Sequence, residues 1–235
     1  MATGPRAVLL DFYGTLACDI HPSFLIEDIL AERGYELADH LRDRWWNGDL
    51  DGIEHIDQSR SRDHYVEWQN ERLLSLLAEA GVHPGEHEVI LAELHAGRVH
   101  REIRAYPEVP DALRALRERG LQLAVCSNWD WDLEPAIAEA GLDGAFDLVV
   151  SSAWAGARKP HPRIFRHTLS LLELAPADVV FVGDTWGPDV EGPRGVGMCA
   201  FYLERDGHWP DTTLPATPAP DVMRIPDLTA LVEQL

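Results

Sequence analysis

The feature that most constrains the fold of this chain is the regular alternation of short apolar segments with helical segments after residue 103. Strands are predicted there at "LQLAVCS", "FDLVVSS", "DVVFVGD" and "MCAFYL", and a further strand, "RAVLLDF", lies near the N-terminus. The apolar spacing predicts helices near 132–140, 161–174, 188–195 and 227–234. Strands separated by helices of about ten residues are typical of βαβ units, so we predict an α/β fold with a doubly wound parallel sheet.

The segment between the first strand and the others has a different pattern. We find no strand-like alternation between residues 20 and 102, whereas several stretches have helical spacing, the longest being "SRDHYVEWQNERLLSLLAEAG". We therefore predict a core domain of residues 1–16 and 103–235, and an all-helical cap domain of residues 17–102 inserted after the first strand. The proline-rich stretch at 210–220 is expected to be a surface loop.

Composition argues against several classes of function. A formal net charge of -20 would repel a phosphate backbone, so no nucleic-acid partner is expected. No apolar run approaches the roughly 20 residues of a membrane span, and the N-terminus lacks a signal-peptide pattern, so we expect a cytoplasmic protein with no membrane partner. Cys18, Cys126 and Cys199 lie far apart, which fits neither a disulfide framework nor a zinc site.

Polar residues follow the ends of four predicted strands. In chain order they are Asp11, then Ser127 and Asn128, then Ser151 and Ser152, then Asp184 after Gly183. In open parallel sheets, ligands bind outside the carboxyl ends of the strands. A purely structural sheet does not need polar groups at all of these ends, so we predict a functional site at this edge.

Four motifs in the chain also resemble those of a known family. They are "LLDFYGTL" (9–16), "VCSN" (125–128), "ARKPHPRIF" (157–165) and "FVGDTWGPDV" (181–190). In this order the chain resembles the haloacid dehalogenase superfamily, a group of hydrolases that use an aspartate nucleophile on a Rossmann-like core. The helical insert is similar to the cap of that family. The resemblance implies an enzyme, and we expect a monomer or homodimer that acts on a small-molecule substrate.

The resemblance also implies roles for individual residues. Asp11 would be the nucleophile, and the chemistry fits because a carboxylate is ionised at neutral pH without a helper base. Thr15 and Ser127 would donate hydrogen bonds to the anionic group of the substrate, with Asn128 nearby. Lys159 would neutralise charge on Asp11 and on the transferred group, although a lysine before a proline is more commonly a surface residue.

The fourth motif predicts a metal site. Asp11, Asp184 and Asp189 at one edge would repel one another, so at least one pKa would rise unless a cation were present. Mg²⁺ suits such oxygen ligands. In the phosphatases of the family the corresponding ligands would be Asp11, Asp184 and the backbone carbonyl of Tyr13, with Asp189 binding through water or as an outer partner. The alternative is an ordinary strand-to-helix turn with an aspartate cap.

Tyr13 favours a different branch of the family. The phosphatases have an aspartate there that protonates the leaving group and activates water, and a tyrosine with a pKa of about 10 is a poor substitute. The 2-haloacid dehalogenases of the family have tyrosine at this position, because a halide leaves without a proton. They need no metal. They hold the halide with an arginine of the cap, for which Arg42 and Arg44 are candidates here. His21 could donate the missing proton, or be a residue at a helix start.

Tryptophans supply candidates for the substrate pocket. Trp129 and Trp186 directly follow site motifs, and we assign one wall of the pocket to Trp129. Trp45, Trp46 and Trp68 in the insert could also line it, but packing within the insert explains them equally well.

Three functions therefore stay open. We favour Mg²⁺-dependent hydrolysis of a small phosphorylated metabolite through an aspartyl-phosphate at Asp11, which rests on Asp184 and Asp189. The second is metal-free hydrolysis of a 2-haloacid, which rests on Tyr13. The third is a binding or regulatory protein that has lost efficient catalysis. If the first holds, Tyr13 predicts slow turnover, another acid, or substrates with good leaving groups.

Overall fold

A computed structural model describes residues 4–20, 26–43, 50–99, 102–207 and 211–235. Within these residues the strands are β1 (Ala7–Leu10), β2 (Ala17–Asp19), β3 (Ile103–Ala105), β4 (Gln122–Ser127), β5 (Leu148–Ser151), β6 (Val179–Gly183), β7 (Cys199–Leu203) and β8 (Met223–Ile225). Six of them form one sheet in the order β5-β4-β1-β6-β7-β8, with every neighbouring pair parallel. The predicted α/β class with a parallel sheet is confirmed.

The α-helices of the described residues are α1 (Ile26–Ala31), α2 (Asp39–Asp43), α3 (Arg62–Glu79), α4 (His87–Val99), α5 (Val109–Glu118), α6 (Leu133–Glu139), α7 (Ser152–Ala155), α8 (Pro162–Leu172), α9 (Gly192–Arg194) and α10 (Leu228–Gln234). The helix predicted near 188–195 is instead a π-helical turn, Trp186–Glu191, followed by the short α9. None of the helices in the described ranges has the length and apolar character needed to cross a membrane.

The main sheet is buried on both faces because its central strands are apolar on both faces. In β1, Val8 and Leu10 pack with α5, α6 and α10, while Ala7 and Leu9 pack on the opposite face with α7 and α8. This arrangement follows from the two-residue side-chain period of a strand. Helices on both faces therefore fix the strand ends, and with them the residues that follow β1, β4 and β6.

The helices between β2 and β3 have an apolar cluster of their own. Its buried members in α1 include Ile26, Ile29 and Leu30, and they pack with residues of α3 and α4 such as Leu77 and Ile90. Helical spacing in the sequence predicted these helices. The division into a core and a cap domain at residues 17 and 102 stays a prediction.

Short strands are where the structure differs from the sequence prediction. The insert, which we expected to be all-helical from residue 17, begins with β2, and β2 pairs antiparallel with β3 directly after the insert. The strand β8 was not predicted either. Each of these strands has three residues. So short a segment cannot show a clear alternation of apolar and polar residues.

Candidate active site

The ends of β1 and β6 and the π-helical turn bring three carboxylates together. Asp11 follows β1, Asp184 follows β6, and Asp189 lies in the turn. One carboxylate oxygen from each lies within 4.8 Å of those of the other two, and the three residues are 7%, 4% and 1% exposed. The register aligns the strand ends, since Leu10 lies opposite Val125 of β4 and Val182 of β6. The predicted convergence at the carboxyl edge is thus present.

Lys159 is the cationic partner of two of these carboxylates. Its Nζ donates to Asp11 Oδ1 at 2.6 Å and to Asp189 Oδ1 at 2.6 Å, and the residue is 1% exposed. A buried ammonium group needs such partners, because an unpaired charge is strongly unfavourable away from water. Lys159 is therefore a buried residue beside Asp11 rather than a surface lysine.

The charges of the cluster are unbalanced. Burial raises the pKa of Asp11, with Lys159 opposing the rise and Asp184 adding to it. Burial raises the pKa of Asp189 to about 8, again with Lys159 opposing and the other two carboxylates reinforcing the rise. Burial by itself would lower the pKa of Lys159, but Asp11 and Asp189 outweigh it and the pKa is raised. One ammonium group cannot compensate three carboxylates, so the cluster fits a divalent cation with oxygen ligands.

Two hydroxyl groups orient the carboxylates. Ser127 Oγ donates to Asp11 Oδ1 at 2.8 Å, and Thr15 Oγ1 donates to Asp184 Oδ1 at 2.7 Å. Gly14, between Tyr13 and Thr15, has a φ of +87°, and a Cβ there would lie 2.4 Å from Asp184 Oδ2. Only glycine therefore lets the loop after β1 approach Asp184 this closely. Contact of Thr15 and Ser127 with a substrate stays a prediction.

The side chain of Asn128 braces the backbone of Lys159. Its Oδ1 accepts from Lys159 N at 2.7 Å, and its Nδ2 donates to Lys159 O at 3.0 Å and to Asp51 Oδ1 at 3.1 Å. Through these contacts Asn128 helps to fix the position of the Lys159 backbone. The predicted contact of Asn128 with substrate is untested.

Aromatic side chains lie beside the loop after β1. The hydroxyl of Tyr13 donates to Asp19 Oδ2 at 3.1 Å. The ring of Trp129 packs edge-on against Phe12, with centroids 5.3 Å apart, and lies 6.2 Å from the ring of Tyr13. Trp186 is 2% exposed and belongs to a separate apolar cluster with residues of β7. Of the two tryptophans that follow motifs, Trp129 is therefore the one packed against the Asp11 loop.

Of the remaining candidates of the insert, Arg42 and Trp68 are described by the structure, and their contacts are with residues outside this cluster. Arg42 is an exposed residue that pairs with Asp39. Trp68 packs against His55 and Tyr65, at ring distances of 5.1 Å and 5.6 Å. His21, Arg44, Trp45 and Trp46 lie outside the described residues.

Two residues near the site escaped the sequence prediction. Asp51, in the insert, accepts from Asn128 and lies 3.4 Å from Arg158. Nothing in its sequence context marks it. Arg205, just after β7, donates to the backbone carbonyl of Thr15 at 2.7 Å. Like Asp11 and Asp184, Arg205 closely follows a predicted strand of the parallel sheet, and this position is the signal that could have identified it.

Comparisons with known proteins agree with the geometry. The family model of haloacid dehalogenase-like hydrolases matches residues 5–197. The human haloacid dehalogenase-like hydrolase domain-containing protein 3 is 47% identical over 93 residues, which are 40% of this chain and 37% of the human protein. This chain thus spans only 37% of the length of that relative.

Two further proteins match nearly the whole chain. Phosphoglycolate phosphatase of Aquifex aeolicus is 30% identical over 220 residues, which cover 89% of this chain and 92% of that protein. The structure of L-2-haloacid dehalogenase from Xanthobacter autotrophicus has a TM-score of 0.62 at 24% identity and 97% coverage of both chains, a likeness that shows the fold. The family model and the Aquifex relative together show the family. The chain belongs to the haloacid dehalogenase-like hydrolases, as its four motifs predicted.

Proposed function

We propose that this protein is a Mg²⁺-dependent phosphatase that acts on a small phosphorylated metabolite, with Asp11 as the nucleophile. The observation that carries the proposal is the convergence of Asp11, Asp184 and Asp189 within 4.8 Å, with more negative charge than Lys159 balances. Hydrolysis of a 2-haloacid needs one attacking carboxylate and no metal, so it does not account for Asp184 and Asp189 beside Asp11. The phosphatase activity in the name of the Aquifex relative points the same way.

The donor set suits Mg²⁺, which prefers carboxylate and carbonyl oxygens. Asp11, Asp184 and the carbonyl of Tyr13 would hold it. Both oxygens of Asp189 accept hydrogen bonds, Oδ1 from Lys159 and Oδ2 from Thr185 N at 3.0 Å, which favours Asp189 as an outer partner rather than a direct ligand. When bound, the ion offsets the charge of the carboxylates and of the phosphate group.

Asp11 is held ready for attack on phosphorus. Lys159 and Ser127 both donate to its Oδ1, which fixes the orientation of the carboxylate and leaves one of its oxygens to attack phosphorus. A bond forms between this oxygen and phosphorus as the bond from phosphorus to the leaving oxygen breaks. Water then splits the aspartyl-phosphate, which releases phosphate and restores the carboxylate of Asp11. Lys159 stabilises negative charge in both steps.

Tyr13 limits the leaving group. Its hydroxyl donates to Asp19, and with an ordinary pKa of about 10 a tyrosine protonates a departing alkoxide poorly near neutral pH. Substrates whose leaving oxygen needs no proton should therefore react fastest. The same residue is the specific observation behind the second candidate, hydrolysis of a 2-haloacid, in which Asp11 attacks carbon and a halide departs.

One comparison of activities separates the candidates. Release of p-nitrophenol from p-nitrophenyl phosphate is measured with Mg²⁺ and with EDTA, and halide release from 2-chloropropionate is measured in parallel. We expect Mg²⁺-dependent phosphate ester hydrolysis that the Asp11→Asn variant lacks. Halide release unaffected by EDTA would overturn the proposal in favour of the dehalogenase. Absence of both activities would favour a binding or regulatory protein.

A further inference from the structure

Arg205 reaches the site from the end of β7. Its Nη2 donates to the backbone carbonyl of Thr15 at 2.7 Å and lies 2.7 Å from Glu108 Oε1. The guanidinium carbon lies 3.8 Å from the ring centroid of Tyr106, and the side chain is 9% exposed. An arginine buried to this degree, with its charge paired and its guanidinium group over an aromatic ring, has a fixed position.

The carbonyl that Arg205 binds belongs to the residue that orients Asp184. Thr15 Oγ1 donates to Asp184 Oδ1, and Gly14 lets the same loop lie against that carboxylate. The bond from a charged guanidinium to the Thr15 carbonyl is of the stronger kind. A shift of the Thr15 backbone would therefore move the hydroxyl that holds Asp184.

One partner of Arg205, Tyr106, is anchored to the same loop. Tyr106 N donates to the carbonyl of Leu16 at 3.0 Å, directly after Thr15. Glu108 balances the charge of Arg205, and the ring of Tyr106 packs against its guanidinium group. Both polar contacts are made by Nη2, so the contact that a lysine would lose is the one between the guanidinium group and the ring of Tyr106.

We propose that Arg205 is a positioning residue, which holds the loop after β1 through the Thr15 carbonyl and thereby fixes Asp184 for metal binding. The first half of the proposal is that Arg205 holds the loop after β1. The second half is that this contact raises the affinity for Mg²⁺, and it rests on the proposed function.

Hydrogen exchange in the metal-free protein tests the first half. In Arg205→Met, we expect the amides of residues 11–17 to exchange at least about tenfold faster than in the wild type, because a charge-assisted hydrogen bond is lost. Arg224→Met is the matched control: Arg224 also pairs with an acid, Glu204 at 3.2 Å, and lies near a tyrosine ring, but it is 40% exposed. Unchanged exchange at 11–17 in Arg205→Met would overturn the proposal.

A second variant keeps the proposal testable if Arg205→Met fails to fold. Arg205→Lys keeps the charge and nearly the length of the side chain, so it should fold even if Arg205→Met does not. We expect faster exchange at residues 11–17 in this variant also. Wild-type exchange rates in Arg205→Lys would show that the planar guanidinium is not required and would contradict the proposal.

Calorimetric titration with MgCl₂ tests the second half. We expect the dissociation constant to rise about 10–100-fold in Arg205→Met, the usual effect of removing a group that orients a metal ligand. In Arg224→Met it should stay within about twofold. Faster exchange with unchanged Mg²⁺ affinity would overturn the link to Asp184. A wild-type protein that binds no Mg²⁺ would overturn the proposed function, while the exchange experiment would still decide the role of Arg205 in the loop.

Discussion

At the scale of single residues, Lys159 sets the balance of charge in the site. It bonds to Asp11 and Asp189 at the same time, and all three side chains are buried. Removing one partner from a buried ion pair is strongly destabilising because the other charges stay buried without compensation. Lys159 therefore stabilises the folded chain as well as the proposed chemistry.

The variant Lys159→Met is predicted to lose both properties. Its free energy of unfolding at pH 8 should fall by about 3–5 kcal/mol, and its phosphate release should be abolished. Urea unfolding followed by tryptophan fluorescence measures the first effect. Arg166→Met, at an exposed position on α8, should change stability by less than about 0.5 kcal/mol. Equal stability of the two variants would contradict the charge argument.

His55 is a second residue with an unusual environment. It is 3% exposed, packs against the rings of Tyr65 and Trp68, and its Nδ1 lies 3.0 Å from Ser59 Oγ. Among the described residues its Nε2 has no hydrogen-bond partner. Burial lowers the pKa of His55 to about 4, and the positive charge of Arg158 acts in the same direction.

This shift predicts a pH dependence of stability. Between the ordinary pKa of 6.5 and the folded pKa of about 4, the unfolded chain binds a proton at His55 that the folded chain does not. The free energy of unfolding should therefore fall as the pH is lowered through this window.

His55→Phe keeps the aromatic packing and removes the titration. The difference in urea midpoint between pH 7 and pH 5 should be smaller in the variant than in the wild type. An equal difference in both proteins would show that His55 does not titrate as inferred.

At the scale of secondary-structure elements, the sequence predicted much of the site because strand ends in a parallel sheet meet at one edge. Asp11, Ser127 and Asp184 could be placed together without knowing their contacts. The contact of Lys159 with Asp11 was also expected, but the bond from Thr15 to Asp184 was not, because these residues are 169 positions apart and meet only through packing of the sheet. The hydroxyls that we expected to bind substrate are engaged with carboxylates for the same reason.

The loop after β1 yields a prediction about glycine. Gly14→Ala should lose phosphate release, since its Cβ would displace the Asp184 carboxylate. Gly120→Ala is the control, because Gly120 has a similar φ of +81°, but a Cβ added there would meet no atom of the described residues within 4 Å. Both variants should lose about 1–3 kcal/mol of stability from the strained backbone. Activity in Gly14→Ala equal to that in Gly120→Ala would contradict the steric argument.

At the scale of the whole molecule, the insert meets the site through residues 50–69. Asp51 bonds to Asn128 and Gly52 N donates to the carbonyl of Lys159 at 3.3 Å, so this contact reaches the backbone of the buried lysine. Farther out, Arg62 forms an exposed ion pair with Asp132. The contact of Asp51 is more buried than the ion pair of Arg62 with Asp132, so we expect it to contribute more to stability and to turnover.

Two aspartates, one at each of these contacts, allow this difference to be measured. Asp51→Ala should lower stability by about 1–3 kcal/mol and reduce turnover, since the amide of Asn128 and the guanidinium of Arg158 lose a partner. Asp132→Ala should cost less than about 1 kcal/mol, as is usual for an exposed ion pair, and leave turnover unchanged. Urea unfolding and steady-state kinetics distinguish them. Equal effects would mean that the insert contacts do not support Lys159.

The burial of Lys159 has a consequence for chemical labelling, because it is the only lysine in the 235 residues and every other basic side chain apart from histidine is an arginine. Within these residues an amine-directed reagent therefore has a single side-chain target, Lys159. With Nζ buried and its pKa raised, Lys159 should stay unlabelled in the folded protein, and each opening of the site should expose it to the reagent. Counting labels by intact mass would thus report the opening of this one site without any engineered probe.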